Sequence, residues 1–195
     1  STIKRKKGAL DAKRGKLFSR IVKEIHMAVK EGGAVPENNP RLRLAIQNAK
    51  GANMPKDNVD RAINKASSEG ANLQEITYEG YAPGGVGIFI ECLTDNNTRT
   101  VANIRAIFNK RGGSLGTNGS LAFIFERKGV FTVPRGNLDP ETFELDIIDA
   151  GVEDIELTED DMFMITCAVE DFGKVQKKLD EMNVRIENAQ LQRIP

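Results

Sequence analysis

Tryptophan is absent from this 195-residue chain, and only two tyrosines and one histidine are present. With aromatic residues at 6% of the chain and so little Trp and Tyr among them, a single-stranded nucleic-acid platform, whose affinity comes from bases stacked on aromatic side chains, is disfavoured. The lone histidine, His26, has no carboxylate or cysteine at a suggestive spacing; acid–base catalysis needs positioned partners, so a packing or surface role is expected of it. The two cysteines, Cys92 in IFIECLT and Cys167 in MITCAVE, show neither CxxC nor Cys/His spacing and read as buried reduced thiols rather than a disulfide or metal site. No apolar run approaches the roughly 18 residues of a membrane span, and the opening STIKRKKG lacks the apolar core of a secretory signal. A cytoplasmic protein is expected, or one of the mitochondrial matrix if the source is eukaryotic, with no membrane contact and no cofactor.

Net charge is missing as well: 28 basic residues balance 28 acidic ones. The zero is a cancellation between the two ends. Residues 1–66 hold 16 Lys+Arg against 6 Asp+Glu, a net +10; residues 67–128 hold 6 of each; residues 129–195 hold 6 against 16, a net −10. Charge divided into blocks creates a large-scale field, so the N-terminal third attracts polyanions and the C-terminal third repels them. Removal of the acidic third is therefore expected to leave nucleic-acid affinity at least unchanged.

Periodicity divides the chain at the same places. From Leu10 to Val29 the apolar positions Leu10, Leu17, Phe18, Ile21, Ile25, Ala28 and Val29 share one helical face, and Gly32-Gly33 stops the helix. A second helix is expected from Pro40 to about Gly51 with Asn39 as cap, and a third from Pro55 to Ala66. Their close spacing suits a helix-turn-helix or any small bundle. After Gly70 come strands at 76–81 and 86–93 around Pro83-Gly84-Gly85, a helix at 98–110, and a strand at 121–126 (LAFIFE). From 129 the expected order is strand 129–134, helix 139–150, strands 152–158 and 162–169, helix 171–182 and strand 184–193, the βαββαβ order of the ferredoxin-like split motif. The fold class is α+β with three domains: a basic helical one (1–70), a small α/β one (71–128) and an acidic ferredoxin-like one (129–195).

The candidate chemistry is cationic. Lys4, Arg5, Lys6 and Lys7 precede a helix whose outer side carries Lys13, Arg14, Lys16, Arg20 and Lys23, with few compensating acids; a merely solvated face would mix the signs. Lys56 and Arg61 on the third helix extend the basic set. The glycine-rich stretch 112–120 matches neither GxxxxGK[ST] nor GxGxxG and reads first as turns. Together with the Pro83-Gly84-Gly85 loop, and with Arg99, Lys110 and Arg111 beside the two, it is also a candidate second contact site for nucleic acid, distinct from the N-terminal stripe. Glu159-Asp160-Asp161 lacks calcium-loop spacing and is expected to be a solvated hairpin turn.

Five blocks then carry a resemblance: RKKGALDAKRGKLFSRIVKEI at 5–25, AVKEGG at 28–33, NMPKDNVDRAINKA at 53–66, YEGYAPGGVGIFIECLTDNNTRTVANIR at 78–105 and KRGGSLGTNGSLAFIFERKG at 110–129. In this order they resemble the YebC/PmpR family, which includes bacterial proteins named as transcriptional regulators and a mitochondrial translational activator of a cytochrome oxidase subunit. The resemblance implies three domains and no catalytic residues. Family members usually begin a few residues earlier and run on past the position of Pro195 to complete the middle domain. The expected function is a non-enzymatic, nucleic-acid-binding regulator of gene expression, conventionally a DNA-binding transcriptional regulator. The alternatives are a ribosome-associated translation factor binding ribosomal or messenger RNA, and an interaction module docking through its acidic domain. Without a helix rich in Arg, Asn and Gln for major-groove readout, the residues lean towards backbone contact and RNA.

Overall fold

In the computed structural model the backbone of residues 2–68 and 72–195 is described, with side chains from 11–68 and 72–195. Helix α1 (Thr2–Gly32) starts earlier than its apolar repeat predicts and is much longer than α2 (Pro40–Gly51) and α3 (Lys56–Ser68), at 31 residues against 12 and 13. The three close a core of Ile21, Ile25, Ala28 and Val29 from α1, Leu42, Ala45 and Ala49 from α2, and Met54, Val59 and Ala62. Asn39 ties the first two helices together. Its Oδ1 accepts the Leu42 N–H at 3.1 Å, capping α2 ahead of Pro40, and its Nδ2 donates to the Ala28 carbonyl at 2.7 Å and the Gly33 carbonyl at 2.9 Å. Because α1 outruns its partners, Leu17, placed by periodicity on the inward face, is instead 44% exposed. Inward packing begins at Phe18.

Two antiparallel sheets follow. Strands β1 (Gln74–Ala82) and β2 (Val86–Thr94) form a hairpin, α4 (Asn97–Lys110) comes next, and the two-residue β3 (Ser114–Leu115) pairs with β1 to give the order β2-β1-β3. The second sheet has β4 (Glu126–Pro134), β5 (Val152–Leu157), β6 (Met162–Ala168) and β7 (Asn188–Ile194) in the order β5-β6-β4-β7. Helices α5 (Pro140–Ile148) and α6 (Phe172–Glu181) complete its βαββαβ succession. Phe131, Val133, Phe163, Ile165 and Cys167 alternate inward from the strands to meet Phe143 and Ile147 of α5 and Val175 and Leu179 of α6. Burial in this core pushes the Cys167 thiol up to about 11, with Asp171 and Glu153 adding to the shift, so it stays protonated and inert. β7 starts four residues later than expected. Asn183 takes a positive φ of 53° and the Val184 N–H returns to the Leu179 carbonyl at 3.1 Å, closing α6 before the ladder begins.

One expected strand does not form. LAFIFE has the composition of a strand at 121–126, but Ala122–Ile124 is a single 3-10 turn, with the Ile124 N–H on the Leu121 carbonyl at 3.0 Å, and the strand starts only at Glu126. Leu121 is fully buried while Phe123 is 83% exposed. The donors that a strand would use are drawn elsewhere, as the site geometry shows.

By its contacts the chain forms two compact units, 1–70 with 128–192, and 71–127 with 193–195. The helical and acidic segments, expected as separate domains, therefore share one unit. Their seam is α2 against β7, an edge strand of its sheet. The Asn48 side-chain amide donates to the Ala189 carbonyl and accepts the Ala189 N–H, both at 2.9 Å, as a neighbouring strand would. Arg185 reaches the Gly51 carbonyl at 3.2 Å, Gln47 donates to Gln176 at 3.1 Å, and Leu44 packs on the sheet core. A Cβ on Gly51 would lie 2.0 Å from the Glu187 carbonyl oxygen, so only glycine permits this approach. The opposite edge, β5, is lined by exposed Glu153, Asp154 and Glu156, which discourage strand addition.

That contact sets two effects of Gly51→Ala against each other. Alanine gains at most about 1 kcal/mol in helix propensity. Overpacking against rigid backbone costs about 1–3 kcal/mol, and a 2.0 Å approach belongs at the upper end. Urea unfolding should show the variant less stable than the parent; equal or greater stability would mean that α2 does not sit this close to β7.

Candidate nucleic-acid interface

The residues of α1 that carry cations are set by its projection beyond the bundle. Every described residue from Asp11 to Leu17 is exposed, as are Arg20 and Lys23. At 100° per residue, Lys13, Lys16, Arg20 and Lys23 fall within an arc of about 80°. At 1.5 Å per residue they extend for about 15 Å along the helix, so four charges form one straight stripe. Arg14 stands apart, its guanidinium 5.1 Å from the centroid of the Phe18 ring, and Arg20 is close enough to share a 3.5 Å hydrogen bond with Gln190. The stripe ends at Lys23 because acids follow. Glu24 and Glu31 both bind Arg41 of α2, at 3.3 and 2.7 Å. The side chains of Lys4, Arg5, Lys6 and Lys7 lie outside the described residues.

Lys56 and Arg61 are exposed on α3 but do not extend the stripe. Arg61 is about 200° round the helix from buried Val59, on the side turned away from α1. The outward side of α3 also carries exposed Asp57 and Asp60 near its N-terminus, where a recognition helix would present base-reading groups. A helix-turn-helix reading of α2–α3 therefore meets like charge where it needs donors.

In the smaller unit, α4 separates the candidate cations. Arg99 is in the first turn, capped by Asn96 and paired with Asp95, while Lys110 and Arg111 close the last turn about 16 Å away. All three are exposed, and they form two loci rather than one cluster. The glycine-rich loop spends much of its donor capacity internally: the Gly112, Gly113, Gly116 and Ser120 N–H groups bind backbone carbonyls, and the Gly119 N–H binds an anion of the protein's own. Glu79 of β1 is 4% exposed; its carboxylate accepts the Gly119 N–H at 2.8 Å, the Leu121 N–H in a short bond, and the Ser120 hydroxyl at 3.5 Å. The Gly116 N–H adds a 2.7 Å bond to the Glu79 carbonyl. The Gly119 N–H, and after it those of Leu121 and Ala122 with the Ser120 hydroxyl, hold this carboxyl below the ordinary glutamate value, against the opposing cost of burial. This clamp also explains the lost strand at 121–126. Sequence reasoning missed it: in YEGYA, Glu79 reads as one more strand residue, and only the donor-rich loop 40 positions later hints at an internal acceptor. Gly113 serves packing too, as a Cβ there would meet the Tyr81 carbonyl oxygen at 2.4 Å.

Among the described residues no group of three or more His, Cys, Asp or Glu is placed to hold a metal ion, and no helix is long and apolar enough to cross a membrane. What the geometry defines is an α+β protein, helical at its N-terminus and built on antiparallel sheets, with its cations concentrated on one projecting helix. The chain belongs to the TACO1/YebC family: residues 1–69 match the model for the TACO1/YebC protein N-terminal domain, and residues 73–195 match that for the TACO1/YebC second and third domain. It is 52% identical to a "probable transcriptional regulatory protein" of Amoebophilus asiaticus, over all of this chain and 81% of that one. A protein of the same description from Chlorobium phaeobacteroides is 50% identical over all of this chain and 79% of the relative. The crystal structure of a conserved hypothetical protein from Aquifex aeolicus superposes with a TM-score of 0.87 at 43% identity, covering 95% of this chain and 76% of that one.

The Glu79 clamp has a definite pH sign. Its carboxyl is lowered in the folded state, so its stabilisation is complete above the ordinary value of 4.5 and fades as the pH falls through the lowered one. Glu79→Gln turns amide donors towards N–H donors. At neutral pH it should lower the midpoint of urea unfolding and speed hydrogen exchange at Gly119 and Leu121, with the gap from the parent narrowing below pH 4.5. Unchanged exchange at both amides would show that the carboxylate does not hold the loop.

Proposed function

We propose that the protein is a non-enzymatic regulator of gene expression that grips a nucleic-acid backbone with the stripe Lys13, Lys16, Arg20 and Lys23. The carrying observation is the geometry of that stripe: four exposed cations on one arc of a helix that outruns its bundle, with no acid between them on that arc. Phosphate contact of this kind is sequence-independent, and its strength comes from counterion release. The names of the Amoebophilus and Chlorobium relatives support a role in transcriptional regulation, for which the conventional reading is a DNA-binding protein.

A second reading, RNA in a ribosome-associated translation factor, is favoured by one observation. Asp57 and Asp60 occupy the start of α3, so base readout in a DNA major groove has no evident donor helix. Backbone and shape recognition, which folded RNA permits, needs none.

The test is a quadruple variant, Lys13→Glu, Lys16→Glu, Arg20→Glu and Lys23→Glu, titrated against duplex DNA and a structured RNA and sedimented with ribosomes. These side chains are exposed, so the circular dichroism spectrum should be unchanged. For duplex DNA the parent's log–log salt slope should reach about −3.6 for four phosphates, and the variant should lose most of that slope with its affinity. A folded variant that binds as tightly as the parent would refute the stripe. Preference for duplex DNA or for ribosomes decides between the two readings.

A further inference from the structure

Helix α5 buries one face and leaves the other without a partner among the described residues. Phe143 and Ile147 are in the core, while Leu145, directly opposite them, is 72% exposed and Ile148 is 51% exposed. These two are three residues apart and adjacent on the helix surface. Exposed Glu141, Glu144 and Asp149 surround them. The projecting end of α1 repeats this pattern with the opposite sign. Leu17, 44% exposed, is surrounded by exposed Lys13, Arg14 and Arg20. Both surfaces belong to the same compact unit and both are open, so they do not satisfy each other within one copy.

We propose that the basic end of α1 in one copy docks on the α5 face of a second copy, Leu17 meeting Leu145 and Ile148 while its flanking cations face Glu141, Glu144 and Asp149. Charge complementarity selects this occupant. The chain that carries the acidic third at net −10 carries its own complement at net +10, present at the same concentration as the face it fits. An apolar centre with a charged rim is the general anatomy of a protein interface. One helix end against one short helix buries less than a standard interface, so association is weak and electrostatic, strong only at low salt. Lys13 and Arg20 also belong to the proposed nucleic-acid stripe. Self-association and nucleic-acid binding are thus mutually exclusive at α1, and nucleic acid dissociates the assembly. The docking itself does not depend on the nucleic-acid reading.

Charge reversal tests it with the full chain. One variant carries Lys13→Glu and Arg14→Glu; the other carries Glu144→Lys and Asp149→Lys, the first exposed on α5 and the second at its exposed C-cap, both away from the N-cap Asp139. In sedimentation velocity the parent's average mass should rise with concentration at about 50 mM salt and return to that of the monomer at about 1 M, where the Debye length is about 3 Å. Each variant alone should stay monomeric, because like charges then meet, and an equimolar mixture of the two should associate as the parent does. The α5 variant should bind duplex DNA at least as tightly as the parent, which separates this proposal from the nucleic-acid reading. Recovery in the mixture also excludes misfolding as the reason that either variant is monomeric. A parent monomeric at every concentration and salt, or association that survives about 1 M salt, or a mixture that fails to associate, would each overturn the proposal.

Discussion

A side-chain amide stands in for a missing β-strand, and the larger unit depends on it. β7 ends its sheet with unpaired backbone groups, and Asn48 of α2 supplies one donor and one acceptor to Ala189 in the arrangement a neighbouring strand would use. An unfilled edge buried beneath a helix would leave these groups without partners, at about 1–3 kcal/mol each. Gly51 allows the helix to come close enough, and Arg185 and Gln47 add bonds on either side. Because of this seam, a segment of net +10 and one of net −10 are parts of one body.

Opposite charges held together in this way do not simply neutralise each other. Pairing between the signs is local: Glu24 and Glu31 with Arg41 at the foot of α1, Lys128 with Glu153 on the sheet, Arg135 with Asp161 at the turn. Such partly exposed pairs are each worth about 0–1 kcal/mol and do little for stability. Their effect is on the field. They remove acids from the base of α1 and leave cations along its free end and carboxylates along α5 and β5. A polyanion therefore meets a surface with an attractive end and a repulsive one, and its approach is oriented before contact.

Much of this was legible in the sequence. Helices α2 and α5 announce themselves with Asn39-Pro40 and Asp139-Pro140, cap followed by proline, and the alternation in MFMITCA gives the inward face of β6. The stripe on α1 follows from spacing alone. Three things did not follow, each because its cause is remote in sequence. Leu17 obeys the apolar repeat, but whether it is covered depends on how far α2 and α3 reach. LAFIFE has strand composition, but its first donors, the Leu121 and Ala122 N–H groups, go to Glu79, some 40 residues earlier. The seam joins Asn48 to Ala189, 141 positions apart, and no local pattern marks either residue. The cations of α4 show another limit: Arg99 is grouped with Lys110 and Arg111 in the sequence reading, but the length of the helix between them keeps them about 16 Å apart.

The central claim is that nucleic acid is held on one arc of α1. Lysine acetylation read by mass spectrometry, with and without saturating duplex DNA or structured RNA, tests it lysine by lysine on the intact protein. The account predicts strong protection of Lys13, Lys16 and Lys23, with Lys56 and Lys110, both exposed and off the stripe, still reactive. Protection of Lys110 while the three lysines of α1 stay reactive would contradict it and move the interface to the smaller unit.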